Sequence, residues 1–266
     1  MRLALVSLDQ RWMDKEANFV RCTDFVRMAA GHSCKLVVFP EMTLTGYSLE
    51  LTEVAEPSHD SPTMRRFGSL ACDAEMDVIF GACLVDTASA RPRNTLCLAR
   101  RNGEVLAIYA KIHPFSFVGE EKVMEAGNTL GIAEIGELRL GCSVCYDLRF
   151  PELFSAMAPY SNAVVNIANW PARRVAHWKF LLVSRAIENQ QFVFGVNRIG
   201  TDGNGLLYEK STLAVSPDGA VLESVWSEPE MEIYEIDLTE TKSYREEFPT
   251  ILDKRFGLYR ELYEGI

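Results

Sequence analysis

Apolar and polar positions along this chain alternate between short runs rich in Val, Ile and Leu and longer amphipathic stretches, the pattern of a layered α/β protein. Residues 2 to 8 read as a first strand, and 15 to 30 as a helix with Phe19, Phe25, Val26 and Ala29 on one side. Lys35 to Phe39 reads as a second strand, stopped by Pro40. The pattern then predicts a helix over 62 to 75, with Pro62 in its first turn, and strands at 77 to 85, 93 to 99 and 104 to 110. Arg101-Asn-Gly103 supplies the tight turn that joins the last two. Residues 111 to 128 lack periodicity and carry charge, Pro114 and two glycines, so they read as a long loop, where function tends to concentrate. Strands at Leu138 to Val144 and Ala163 to Ile167 and helices at Pro151 to Met157 and Ala176 to Asn189 follow. Short antiparallel strands are expected at Phe192 to Val196, Ser211 to Ser216, Val221 to Val225 and Glu232 to Ile236. Asp202-Gly-Asn-Gly205 and Pro217-Asp-Gly219 punctuate them as turns. No repeat, low-complexity tract or linker divides the pattern, so the expectation is a single domain over 1–266.

Composition narrows the partners. With 48% hydrophobic and 24% charged residues the chain has enough apolar material for a sizeable core. Its 27 basic and 37 acidic residues give net −10, which opposes binding to nucleic acid and to anionic membranes and favours a small-molecule partner. The apolar N-terminal run is broken by Asp9 and Arg11, short of a signal peptide, and no run approaches the about 18 apolar residues of a membrane span. Seven cysteines, an odd number scattered from 22 to 145, fit a compartment where thiols stay reduced. The expected location is therefore the cytoplasm.

Three residues with chemical potential follow the ends of strands: Glu41 after Val37-Val-Phe-Pro40, Lys111 after Val105 to Ala110, and Cys145 after Leu138 to Val144. Singly, each is better explained as a solvated loop charge or a buried structural thiol. Strand ends are where an α/β sheet gathers its functional groups, so the three can converge despite their separation in sequence. Cys145 sits on a strand-to-helix turn, where a helix N-terminus is expected to favour the thiolate. Glu41 is placed to accept the thiol proton and return it to a leaving amine. Lys111 would offset that carboxylate and, with the backbone N–H of Tyr146, stabilise a tetrahedral oxyanion.

The segments Val37-Val-Phe-Pro-Glu41, Tyr109-Ala-Lys-Ile-His113 and Gly141-Cys-Ser-Val-Cys-Tyr-Asp-Leu-Arg-Phe-Pro-Glu152 resemble, in order, the Glu, Lys and Cys motifs of the nitrilase-like superfamily of carbon-nitrogen hydrolases. The resemblance extends over Asn169-Trp-Pro171, Arg174, His177-Trp178, Arg185 to Gln190, Asn197-Arg198 and Ser216-Pro-Asp-Gly219, nearly the whole chain. It implies a four-layer α-β-β-α sandwich, a thioester mechanism without metal or cofactor, and at least a homodimer, with the Arg255 to Tyr263 tail across the interface. The later motifs look most like the omega-amidase branch, whose members hydrolyse the side-chain amide of 2-oxo derivatives of glutamine and asparagine. A second glutamate of the family matches Glu120 by its six-residue offset before Ala126-Gly127, with Glu121 the neighbouring alternative. Tyr146, Trp170, Arg174 and His113 are the candidate substrate-binding residues, Arg174 for a substrate carboxylate. The loop His113-Pro-Phe-Ser-Phe-Val-Gly119 departs from the branch, which usually has Leu after the His, and leaves aliphatic amidase and nitrilase as alternatives.

A different class competes through Cys142-Ser-Val-Cys145, which has the spacing of a redox or zinc motif. Zinc needs a second close ligand pair, and the remaining cysteines are far apart. Cys142 also belongs to the strand, where residues three apart point to opposite faces.

Overall fold

The computed structural model describes residues 1–87 and 91–265. Its larger sheet runs in the order Trp226–Ser227, Met231–Glu235, Arg2–Val6, Leu36–Val38, Asp77–Val85, Arg93–Ala99 and Val105–Ala110, with Ala55–Pro57 paired off this path to Asp77–Val85. The second sheet runs Leu213–Val215, Phe192–Asn197, Ala163–Ala168, Leu138–Val144 and Gly131–Ile135. Strands Arg2–Val6, Leu36–Val38 and Asp77–Val85 are parallel, as are Leu138–Val144, Ala163–Ala168 and Phe192–Asn197. Both parallel sets have solid apolar interiors because both of their faces are covered.

Strand alternation assigns the layers. Leu3 and Leu5 of the first strand pack toward the second sheet, while Ala4 and Val6 pack outward against Cys22, Val26 and Ala29 of helix Lys15–Gly31 and Phe67, Leu70 and Ala71 of helix Pro62–Asp73. On the far side, helix Val175–Asn189 turns Trp178, Leu182, Arg185, Ala186 and Asn189 inward, a helical spacing of three to four. It lies against Gly195, where a Cβ would stand 2.2 Å from the Leu182 side chain and 2.8 Å from Trp178. Helix Pro151–Met157 lies on the same face, with Met157 over Gly141. The result is four layers, α-β-β-α, as the resemblance implied.

Several elements differ from the sequence reading. The first helix buries Asn18 and Cys22 along with the expected Val26 and Ala29, while Phe19 and Phe25 pack half-buried against the core. Asn18 looks like a solvent position, but its amide donates to the carbonyls of Arg11 and Leu44 and its oxygen accepts from the Arg11 N–H, so it ties the helix to two loops. Val221 to Val225 forms no strand. Val221 makes one isolated bridge to Val215, and Val221 and Val225 lie exposed, with nothing to reward extended pairing. The strand Gly131–Ile135 and the helix Thr239–Glu247 were not anticipated; the helix buries only Thr241 and carries no apolar stripe to announce it. The 111 to 128 loop contains a 3₁₀ turn at Ser116–Val118 and a four-residue helix at Glu120–Val123.

Candidate active site

Glu41, Lys111 and Cys145, each at the end of a strand, line one small cavity of about 70 Å³. The turn carrying Glu41 is pressed onto the sheet at Gly81, where a Cβ would lie 2.4 Å from the Met42 nitrogen; only glycine leaves the room. Thr43 completes the seam, exchanging its N–H and hydroxyl with the Gly81 carbonyl and N–H, both at 2.9 Å. Gln10 fixes the turn from the other side by donating to the carbonyls of Glu41, Met42 and Thr43.

The Glu41 carboxylate is fully buried and well supplied with donors. Its Oε1 accepts from Asn94 Nδ2 at 2.7 Å and Lys111 Nζ at 3.3 Å, and its Oε2 accepts from the Asn169 N–H at 2.8 Å. Lys111 also donates to Glu120 Oε2 at 2.8 Å, and Asn94 Nδ2 to Glu120 Oε1 at 3.2 Å. One ammonium and one amide thus bridge two carboxylates. Glu120 is buried in this cluster and Glu121 is exposed, so geometry favours the first of the two sequence alternatives. Burial pulls the Lys111 ammonium down, but the Glu41 and Glu120 charges outweigh it and hold the group well above its ordinary value. Burial pushes Glu120 up, but Lys111 and the hydrogen bonds from the Phe115 N–H and Asn94 outweigh it, so its pKa is lowered.

Cys145 opens a 3₁₀ turn, Cys145–Arg149, with a positive φ of 47°, a conformation that costs a non-glycine residue energy and turns its side chain out of the strand register. Asp147 holds the turn. Its Oδ2 accepts from the Tyr109 hydroxyl at 2.8 Å and the Val144 N–H at 3.0 Å, and its Oδ1 pairs with the N–H and ring Nδ1 of His113 at 3.0 and 2.8 Å. His113 is therefore turned to the rear of the Cys145 turn, stacked on Phe150 at 3.8 Å, and does not line the cavity. The expected preformed thiolate is not what this site favours. Burial raises the Cys145 thiol well above its ordinary value and the Glu41 charge raises it further, against the pull of Lys111. Two carboxylates against one ammonium leave a negative surplus that favours the protonated thiol.

Cys142 lies on the opposite side of the same strand, in the apolar core, with its thiol pushed up to about 12 by burial. The two cysteines of the apparent redox motif do not share a site, and among the described residues no group of three His, Cys, Asp or Glu could hold a metal ion.

Of the other sequence candidates, Tyr146, Trp170 and Arg174 do line the cavity. Trp170 is fixed by Asn197, which accepts its N–H at 2.7 Å and donates to its carbonyl at 2.9 Å; its indole N–H donates to the Arg174 carbonyl. Arg149 and Arg173 join Arg174 on the wall. Arg149 lies over the Trp170 ring at 4.7 Å and Arg174 over Phe115 at 5.6 Å, and among the described residues no carboxylate pairs with any of the three. Burial and the neighbouring charges of Arg173 and Arg149 lower the Arg174 pKa. Asn94, Tyr47, Arg149, Leu206 and Tyr208 were missed in the sequence. The turn Asp202–Gly205 is indeed a turn, and its Asp202 carboxylate, bonded to the N–H groups of Asn204 and Leu206 and to the Tyr208 hydroxyl, sets the last two residues on the cavity wall.

Comparison with known proteins identifies the family. The carbon-nitrogen hydrolase family pattern matches residues 2–246. An omega-amidase of Escherichia coli (strain K12) is 32% identical over 255 residues, covering 95% of this chain and 96% of its own length. A 2-oxoglutaramate amidase of Bacillus subtilis (strain 168) is 29% identical, covering 97% and 98%. Among solved structures, a CN-hydrolase superfamily protein of Xanthomonas campestris, with an arsenic adduct in its active site, superposes with a TM-score of 0.87 at 30% identity over 96% of this chain and 97% of its own. An amidase of Nesterenkonia shares the fold, with a TM-score of 0.83 at 23% identity over 98% of this chain and 97% of its own. With a match over most of its length and its motif residues meeting in one cavity, the chain belongs to the carbon-nitrogen hydrolase family.

Proposed function

We propose that this protein is a cysteine-dependent amidase of omega-amidase type. Its substrate would be a short amide with a distal carboxylate, such as 2-oxoglutaramate, and its products the dicarboxylate and ammonia. The observation that carries the chemistry is the meeting of Glu41, Lys111 and Cys145 on one wall, with Glu120 bonded behind Lys111. As the Cys145 sulfur attacks the carbonyl carbon, Glu41 accepts the thiol proton, and Lys111 and the Tyr146 N–H take the developing oxyanion. Collapse of the tetrahedral species breaks the C–N bond, and Glu41 passes its proton to the departing nitrogen, which leaves as ammonia. Water then attacks the thioester, giving a proton to Glu41, and the sulfur leaves and recovers it. Glu120, bonded to Lys111 and Asn94, holds the ammonium in place through both halves.

Support for an anionic substrate comes from the three arginines on the wall, unusual company for a chain of net charge −10. A guanidinium without a carboxylate partner is suited to a bidentate grip on a substrate carboxylate. The names of the Escherichia coli and Bacillus subtilis relatives point the same way. Ammonia release across a panel of 2-oxoglutaramate, glutaramate, propionamide and propionitrile tests the reading. Turnover of 2-oxoglutaramate well above the neutral compounds supports it; preference for propionamide or the nitrile refutes it in favour of an aliphatic amidase or nitrilase.

We further infer one domain over residues 1–266, acting as a homodimer in the cytoplasm. Phe180, Ile187, Phe248, Leu252, Phe256 and Leu262, on helix Val175–Asn189 and the C-terminal segment, are all exposed large apolar side chains, which supports a self-association face. All seven cysteines are unpaired, consistent with a reducing compartment, and among the described residues no helix is long and apolar enough to cross a membrane. Sedimentation at working concentration tests the dimer; a monomeric boundary refutes it.

A further inference from the structure

Among the described residues, nine buried side-chain nitrogen or oxygen atoms have no hydrogen-bond partner within the protein. Eight belong to side chains that bond through another of their atoms, as Asn94 does through Nδ2 and Gln10 through Nε2. Tyr47 is the exception. Its hydroxyl is its only polar side-chain atom, so the whole hydrogen-bonding capacity of the side chain goes unused. It is also the one of the nine whose residue lines the cavity, beside Glu41, Lys111 and Cys145. Lys111 Nζ lies 5.4 Å from the centre of its ring.

A buried hydroxyl without a partner costs stability, and phenylalanine would fill the same place without that cost. The hydroxyl is therefore accounted for if its partner comes with the substrate. Counting acceptors identifies which group of the substrate it meets. A carboxylate offers about four lone-pair sites. Glu41 spends two on Asn94 and Lys111 at Oε1 and one on the Asn169 N–H at Oε2. The fourth is needed for the proton of Cys145. A primary amide brings two N–H donors into a cavity where Glu41 has no lone pair to spare, and the Tyr47 oxygen is an acceptor with nothing bound to it. Burial holds the phenol well above its ordinary pKa, so it stays neutral, which suits it to meeting an uncharged NH₂ group.

We infer that the Tyr47 hydroxyl accepts a hydrogen bond from the NH₂ of the amide being cleaved, and so selects amides over esters of the same acid. The inference rests on the amidase reading above and names the residue that recognises the scissile group. An ester has no N–H to offer, so the hydroxyl gains nothing from it.

The test is Tyr47→Phe, assayed on 2-oxoglutaramate and on the γ-methyl ester of 2-oxoglutarate, with a thermal melt of each protein. The expected result is a fall in kcat/KM of roughly 10- to 100-fold for the amide, little change for the ester, and a melting temperature that does not drop. Equal losses on both substrates, or a loss on the amide below about threefold, overturn the inference. A lower melting temperature assigns the hydroxyl a structural role and overturns it too. The same comparison made as binding to the Cys145→Ala protein separates recognition from chemistry: Tyr47→Phe should weaken the amide and spare the ester. If the unaltered enzyme cleaves the ester but no amide, the amidase reading itself has failed, an outcome distinct from any result on Tyr47→Phe.

Discussion

Replacing Lys111 by methionine removes the cation between two buried carboxylates while nearly keeping side-chain volume. The ammonium is 2% exposed and the carboxylates of Glu41 and Glu120 are fully buried, at 3.3 and 2.8 Å from it. Removing one member of a buried ion pair costs about 3–5 kcal/mol, because the charge left behind is neither solvated nor paired. Against a typical total of about 5–15 kcal/mol this is a large loss, and it should depend on pH in a definite direction. In the native protein the lowered pKa of Glu120 contributes stability above its unfolded value, near 4.5, that is lost as pH falls through the folded value. The raised pKa of Lys111 contributes below its unfolded value, near 10.5, and is lost as pH rises through the folded one. In Lys111→Met the main force lowering Glu120 is gone and burial drives its pKa up, so the ionised form is penalised and acid relieves it. Urea unfolding at pH 8 and pH 5 is therefore expected to show a gap of several kcal/mol between unaltered and variant protein at pH 8, narrowing at pH 5. A gap below about 1 kcal/mol at pH 8, or one that widens toward pH 5, would refute the reasoning.

Arg174→Met is expected to raise KM for 2-oxoglutaramate at least tenfold while leaving propionamide kinetics nearly unchanged, since it removes ground-state binding of a carboxylate; equal effects on both would contradict the assigned role. Gly195→Ala should destabilise by about 1–3 kcal/mol in urea unfolding, because its Cβ falls 2.2 Å from Leu182 and 2.8 Å from Trp178 in a packed layer; an unchanged midpoint would mean the helix yields freely. Chelators should leave turnover intact, as every step assigned here uses protein groups; loss on chelation, restored by zinc, would reopen the metal reading of Cys142 and Cys145.

The positions of Glu41, Lys111 and Cys145 were legible because each follows an apolar run at the end of a strand, and the layered fold was legible from the runs themselves. What escaped reading was set by tertiary contacts. Asn94 is one polar residue within a strand, and nothing local reveals that its amide bridges two glutamates from distant segments. Tyr47 sits in an irregular turn, where its N–H meets the Asn169 side chain from more than a hundred residues away. His113 follows the lysine motif closely enough to look like a wall residue, yet Asp147 draws it behind the Cys145 turn. The thiolate expectation is opposed for a similar reason. It counted a nearby helix end and could not count the burial and carboxylate charge that oppose ionisation.

The central claim is that amide cleavage passes through an acyl thioester on Cys145. Rapid acid quenching of the enzyme during turnover of 2-oxoglutaramate, followed by peptide mapping with mass spectrometry, tests it directly. The expected result is the acyl mass on the peptide containing Cys145 and on no other cysteine peptide, with both adduct and ammonia absent in Cys145→Ala. Ammonia release by Cys145→Ala, or an acyl group carried elsewhere, would contradict the account.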